Sequence, residues 1–167
     1  MHLRRTDFAS HCRHLAEWSS TFVGWNEFPG FTDKLPRPAV KNKGEASPED
    51  VAHYTTRCYP DIKQIVLRVR EVRSALLPTK LTRVYLMTDG DAKWTRKLKA
   101  TLQEDARRAG LGEWSHIGTS HDLRLTREQK HLSHSVDMAI AQRAEVFIGN
   151  GVGFVFVCVL ALLICEN

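Results

Sequence analysis

The chain has 167 residues, 43% hydrophobic and 26% charged, the proportions of one ordinary globular domain, which excludes wholesale disorder and fibrous architectures. Its 24 Lys and Arg against 19 Asp and Glu give a net charge of +5, a mild balance that suits an anionic ligand without implying nucleic acid. Four cysteines (Cys12, Cys58, Cys158, Cys165) form no C-x-x-C pair and no dense framework, so neither a zinc site nor a disulfide-stapled miniprotein is indicated.

The opening His2-Leu3-Arg4-Arg5-Thr6-Asp7 is charged at once and carries no apolar stretch, so no signal peptide is expected. Up to residue 46 the pattern is irregular, with Trp18, Phe22, Trp25, Phe28 and Phe31 scattered among turn formers such as Pro29-Gly30 and Pro36-Arg37-Pro38. A short helix at 9–18 and then a long loop over about 19–46 with an aromatic patch are expected. Ser47-Pro48-Glu49-Asp50 is a helix start, with Ser at the N-cap, Pro in the first turn and acids at the positive end of the helix dipole. That helix should run to about Cys58. Pro60-Asp61 restarts the pattern, and Ile62, Ile65, Val66, Val69, Val72 and Leu76 recur at helical spacing until Pro78.

Residues 82–88 are β-branched and aromatic and read as a buried strand, followed by Asp89-Gly90-Asp91 and a helix over 92–109 closed by Gly110 and Gly112. Further on, the sequence predicts a short strand at 114–118, a helical turn at 126–130, a helix at 135–144 with Asp137 in its first turn, and a third strand at 145–149. Strands alternating with helices predict an α/β fold, a Rossmann-like parallel sheet with flanking helices. Such sheets bind ligands at the carboxyl ends of their strands, which marks 88–90 and 149–151 as crevice positions. The His2 segment would qualify behind a strand, and the sequence offers none ahead of it.

The segment His2-x-Arg4-Arg5-x-Asp7 is the most chemically loaded. Arg offers a planar fork of donors that matches phosphate, and Asp7 could orient it through an ion pair; the plain alternative is a solvated charged terminus. Asp89 is either a ligand contact or the N-cap of the next helix, and Asp137 either a ligand contact or a dipole-stabilised first-turn acid. The stretch Gly149-Asn150-Gly151-Val152-Gly153 is similar to a dinucleotide fingerprint, but its third glycine is misplaced, so a nicotinamide or flavin site is rejected. His11 with His14 and His131 with His134 read as surface pairs, and no metal site is expected. Arg68, Arg70, Arg73, Lys93, Arg96, Lys97 and Lys99 read as the wet faces of helices. The apolar run at 152–165 reaches spanning length only when extended back to Val146 across Asn150, so membrane contact there is not favoured.

Three ordered segments add to this reading. Residues 2–8, His-Leu-Arg-Arg-Thr-Asp-Phe, resemble the first motif of the fucosyltransferases that include the protein O-fucosyltransferases and the α1,6-fucosyltransferases. Residues 84–89, Val-Tyr-Leu-Met-Thr-Asp, resemble the second motif, and 137–150, starting Asp-Met-Ala-Ile-Ala, resemble the start of the third. The resemblance implies a GT-B fold of two Rossmann-like domains, of which this chain resembles the C-terminal, GDP-sugar-binding half over 1–151, incomplete at both ends. It further implies inverting transfer of fucose from GDP-fucose to a protein or glycan hydroxyl, with no cofactor and no metal. In that scheme Arg4 is the catalytic group that binds the β-phosphate, with His2 and Arg5 beside it. Asp137 would contact guanine or ribose, and Asp89 would stand at the rim. The family usually acts in the secretory pathway.

The chain departs from the family by lacking an acceptor-binding half and the Ser/Thr-rich turn expected after Gly149-Asn150. Residues 152–167 form an aberrant apolar tail, read as translation of an unspliced intron. The expectation is a chain with little or no transferase activity. Two alternatives stand beside it: a non-catalytic GDP-binding fragment, and a membrane-tethered protein anchored by 146–165.

Overall fold

The computed structural model describes residues 1–20, 44–76 and 81–149. Most of the expected long loop, with Phe22, Trp25, Phe28 and Phe31, and the whole of the 152–167 tail lie outside the described residues. The elements are β1 (His2–Leu3), α1 (Phe8–Glu17), α2 (Pro48–Cys58), α3 (Ile62–Ala75), β2 (Arg83–Thr88), α4 (Ala92–Arg108), β3 (His116–Thr119) and α5 (Ser133–Gln142). Short 3-10 turns at Ser120–Asp122 and Gln129–Leu132 connect β3 to α5. No helix among the described residues is long and apolar enough to cross a membrane.

The helix starts follow from capping chemistry. Ser47 Oγ accepts the Asp50 N–H (3.1 Å) while the Asp50 carboxylate accepts the Ser47 N–H (3.1 Å), a reciprocal box that satisfies two otherwise orphaned donors. Asp61 and Gln64 form the same box on α3, each bond 2.8 Å long. Asp91 caps α4 by accepting the Trp94 N–H at 2.8 Å, which removes the capping role considered for Asp89. At the far end of α4 the chain turns through Gly110 with φ +66°, a left-handed position that glycine adopts without a Cβ clash.

The sheet is parallel, in the order β1-β2-β3, with His2 opposite Met87 and Leu3 opposite Thr88 on one side, and Val84 opposite Ile117 on the other. His2 also forms a parallel bridge with Gly149, on the edge of β1 away from β2, and its N–H donates to the Ile148 carbonyl at 2.9 Å. Three expectations are corrected here. The strand for the first motif exists: His2–Leu3 is itself that strand, two residues long and too short to show a period. The strand expected at 145–149 reduces to the Gly149 bridge. The expected strand at 114–118 is shifted to His116–Thr119, because Trp114 is drawn into the core under the Arg73 guanidinium, 4.1 Å from its ring.

Alternation along β2 divides the interior. Val84 and Leu86 face α3 and α4, where Leu86, Leu98, Leu102, Ile65, Val66 and Val69 are buried together with Leu3. Tyr85 and Met87 face α5, packing with Ala141 and Phe147. Arg73, expected on a wet face, is buried with 6% exposure and donates to the Gly112 carbonyl at 3.0 Å. Arg70 keeps its wet position and forms a two-point ion pair with Asp105.

A second, smaller core lies between α1 and α2: Phe8, Cys12, Leu15, Ala16, Tyr54 and Cys58. Cys12 and Cys58 form a disulfide with a Cα–Cα distance of 5.7 Å, a pairing across 46 residues that cysteine spacing alone did not disclose. Disulfides of this kind form and persist in oxidising compartments.

Candidate functional site

The Gly149 bridge on one side of β1, with β2 and then β3 on the other, makes β1 the point where the strand order reverses. Open parallel sheets bind ligands beyond the carboxyl ends of the strands at such a point. The residues found there are the end of β1 with Arg4, Arg5 and Thr6, the end of β2 with Thr88, Asp89 and Gly90, and Gly149. The first two segments are brought together by direct bonds. Asp89 accepts the Arg5 N–H and the Thr6 hydroxyl, both at 2.6 Å. Burial works against its ionisation, yet these bonds outweigh that and hold its carboxyl below the ordinary carboxylate range. Thr88 Oγ1 donates to the Leu3 carbonyl at 2.7 Å and accepts the Gly90 N–H at 3.1 Å.

The two arginines have different fates. The Arg5 guanidinium donates to the Pro60 carbonyl at 2.8 Å and stacks 3.6 Å from the Tyr59 ring and 4.7 Å from the Trp94 ring. It is a structural clasp between the α2–α3 turn and α4. Gly90 makes room for that clasp: a Cβ there would stand 2.8 Å from Trp94 Cε3 and 3.2 Å from Arg5 Cγ. The Arg4 side chain stays 46% exposed, lying 4.9 Å over the Phe8 ring and held by Asp7 through two bonds of 2.9 and 3.2 Å. The same bonds hold the Asp7 carboxyl below its ordinary range. The ion pair expected from the spacing is therefore formed, and it orients the fork of Arg4 without enclosing it.

His2 stands on β1 between Met87 and Gly149. Its Nδ1 is buried and without a hydrogen-bond partner, the one such side-chain atom among the described residues. Burial lowers its pKa below the usual imidazole value, outweighing the pull of Asp137 and Asp89. An orphaned buried polar atom typically costs about 1–3 kcal/mol, a penalty that a donor or acceptor brought by a ligand or water would relieve.

Asp137 falls on the α5 side of the sheet. Because α5 begins at Ser133, Asp137 is in its second turn, so first-turn dipole stabilisation does not explain it. Its carboxylate is buried and accepts the Tyr85 hydroxyl at 2.8 Å and the Ser120 hydroxyl at 2.9 Å, while Ser120 Oγ accepts the Thr88 N–H at 3.2 Å. Burial and the bond to Asp137 push the Tyr85 phenol well above its ordinary pKa. Tyr85 and Ser120 were not singled out from the sequence. Alternation along β2 could have placed Tyr85 on the α5 face, but nothing local marks the serine that follows β3.

The histidine pairs are at the surface: His11 against the Phe8 ring, His14 beside Glu17, and His131 and His134 exposed. Among the described residues no group of three or more His, Cys, Asp or Glu is arranged to hold a metal ion. Chemically, the assembled edge carries the half-exposed Arg4 guanidinium already paired with Asp7, a buried imidazole whose Nδ1 has no partner, and backbone held by Asp89 and Thr88. Comparison with protein-family models, with curated proteins and with solved structures finds no match to this chain.

Proposed function

We propose that this carboxyl edge binds the diphosphate of a nucleotide sugar, and that the chain is the donor-side half of a GT-B fucosyltransferase acting from GDP-fucose on a protein or glycan hydroxyl. The observation that carries the reading is Arg4. It sits just beyond the switch-point strand, its side chain 46% exposed, with Nε and Nη2 bonded to Asp7 and the Nη1 side left to receive an anion. The neighbouring Arg5 guanidinium stacks on Tyr59 and Trp94 and donates to Pro60. In fucosyl transfer the bond from the sugar to the β-phosphate oxygen breaks and negative charge gathers on departing GDP. A fixed guanidinium there stabilises that charge without proton transfer.

The other roles belong to the same proposal. The neutral His2 imidazole supports the phosphate through its unfilled hydrogen-bonding capacity. Asp137, with lone pairs left after Tyr85 and Ser120, accepts from guanine or ribose. Asp89 stands at the rim and acts through Arg5 and Thr6. Every segment that resembles the fucosyltransferases lies on the donor side, and this favours, as a second reading, GDP binding without transfer. The membrane-tethered reading depends on a tail outside the described residues.

Calorimetric titration of GDP into the purified chain tests the site. The expected result is saturable binding that Arg4→Ala weakens by about 1.5 kcal/mol or more, the scale of a charged hydrogen bond. Binding that ignores Arg4→Ala, or no binding by a folded sample, overturns the proposal. Release of GDP from GDP-fucose in the presence of acceptor separates the transferase from the binding module.

A further inference from the structure

We infer that the Cys12–Cys58 disulfide is a positioning element for Arg4, so that affinity of the site for a nucleoside diphosphate depends on this bond; the inference rests on the site reading proposed above. The partners of the Arg4 side chain, Asp7 and Phe8, are the residue that opens α1 and its first residue, so wherever α1 sits, Arg4 sits. Among the described elements α1 packs chiefly on α2, and neither helix has an extensive contact with the sheet or with α3 and α4. The backbone of Arg4 is fixed between β1 and the Arg5–Asp89 bond, while the direction of its side chain is set at second hand, through the α1–α2 interface.

The disulfide joins the two supports of that interface. Cys12 lies one turn beyond Phe8 on the same face of α1, both in the small core. Cys58 ends α2 and is followed at once by Tyr59 and Pro60, which hold the Arg5 guanidinium by stacking at 3.6 Å and a 2.8 Å hydrogen bond. One covalent bond therefore ties the helix that orients Arg4 to the turn that clasps Arg5. With the bond open, the backbone at Arg5 and Thr6 keeps its bonds to Asp89, and α1 follows from them through Asp7 with no cross-link to α2. Both sulfurs belong to fully buried residues, so the bond is protected in the folded chain and opens to a reductant only as α1 and α2 part.

Reduction by dithiothreitol breaks the single S–S bond; two electrons and two protons come from the reagent's two thiols, which leave as its cyclic disulfide. The test is GDP titration of the oxidised chain, the reduced chain and the Cys12→Ser/Cys58→Ser variant, with circular dichroism to establish folding, all in the Arg4 and the Arg4→Ala backgrounds. The expected result is GDP binding about tenfold weaker without the bond, the scale of one charged hydrogen bond. That loss should vanish in the Arg4→Ala background, because a device acting through Arg4 has nothing left to position. The double Ser variant should also ignore dithiothreitol, which separates this bond from Cys158 and Cys165.

A loss that persists in full with Arg4→Ala, or equal affinity with and without the bond, overturns the inference. Should the Ser pair fail to fold, Cys12→Ala/Cys58→Val, which keeps the site apolar, replaces it. If the oxidised chain does not bind GDP at all, the site reading fails. The positioning claim is then decided by the Arg4 and Arg5 Nε–H resonances: movement of Arg4 on reduction supports it, and an unmoved pair overturns it.

Discussion

The two cores of this molecule are built on different terms. The sheet core gathers Leu3, Ile65, Val66, Val69, Leu86, Leu98 and Leu102 from β1, β2, α3 and α4, and those elements hold one another through apolar burial. The α1–α2 core is smaller and contributes its own staple, Cys12–Cys58, in place of wider packing. Small cores commonly need such a cross-link, because their buried surface alone does not offset the entropy of ordering the chain. The candidate site lies along the seam: Arg5 and Thr6 are bonded to the sheet side through Asp89, while Arg4 is held by the α1 side.

The largest expected effect comes from removing the staple. A cross-link between residues 46 apart restricts the unfolded chain by about 4 kcal/mol on loop-closure grounds, so Cys12→Ser/Cys58→Ser should lower stability by roughly that amount in urea titrations. The comparison requires the loss to be local first. Amide exchange should quicken in α1 and α2 while β2 and α4 keep their protection. Leu86→Ala, which empties a fully buried position of the sheet core, should cost about 3 kcal/mol and reduce protection everywhere at once. Equal exchange patterns in the two variants would dissolve the distinction between the cores.

Next in size is the seam itself. Gly90→Ala forces a methyl to within 2.8 Å of the Trp94 ring, which is packed against the sheet core, and 3.2 Å of the Arg5 stem. Overpacking of that kind costs about 1–3 kcal/mol, and it should appear as a lower melting temperature with altered Trp94 fluorescence. A melting curve identical to the parent's would show that the Arg5 clasp yields easily. Asp91→Ala, which removes the cap of α4, should be milder at about 1 kcal/mol in the same melts.

The sheet side was the more legible in the sequence, and the reason is physical. A helix with an N-cap box and a long 3.6-residue period, such as α3, or an apolar strand such as β2, declares itself locally. The two-residue β1 does not, because its strand character comes from lying between β2 and Gly149 rather than from any pattern of its own. Arg73 was misread for the same reason: burying it takes Trp114 and the Gly112 carbonyl, both far along the chain. Of the site, the Arg4–Asp7 pair was visible as a spacing. The division of labour between Arg4 and Arg5 was not, since Tyr59, Pro60 and Trp94 reach Arg5 only in the fold.

The smallest effect sharpens the comparison through pH, because the sheet side alone holds a buried titrating imidazole at the site. Burial depresses the His2 pKa, so the unfolded chain takes up a proton more readily than the folded one. Stability carried by neutral His2 is therefore present above the ordinary imidazole value of 6.5 and is lost as the pH falls through and below it. Asp7 and Asp89, whose carboxyls are held below their ordinary value of 3.8, act in the same direction but only in more acid solution. Between pH 7 and 5, then, urea midpoints of the parent should fall more steeply than those of His2→Gln, which keeps a polar side chain but cannot gain the charge. The Met1 nitrogen, which donates to the Tyr85 carbonyl, is present in both proteins, and its charge adds to the lowering of the His2 pKa by burial. Parallel pH profiles would mean that His2 accepts its proton as easily inside the sheet as in the unfolded chain. The imidazole would then be cationic in acid solution, a second positive charge beside Arg4 instead of a neutral support for a phosphate.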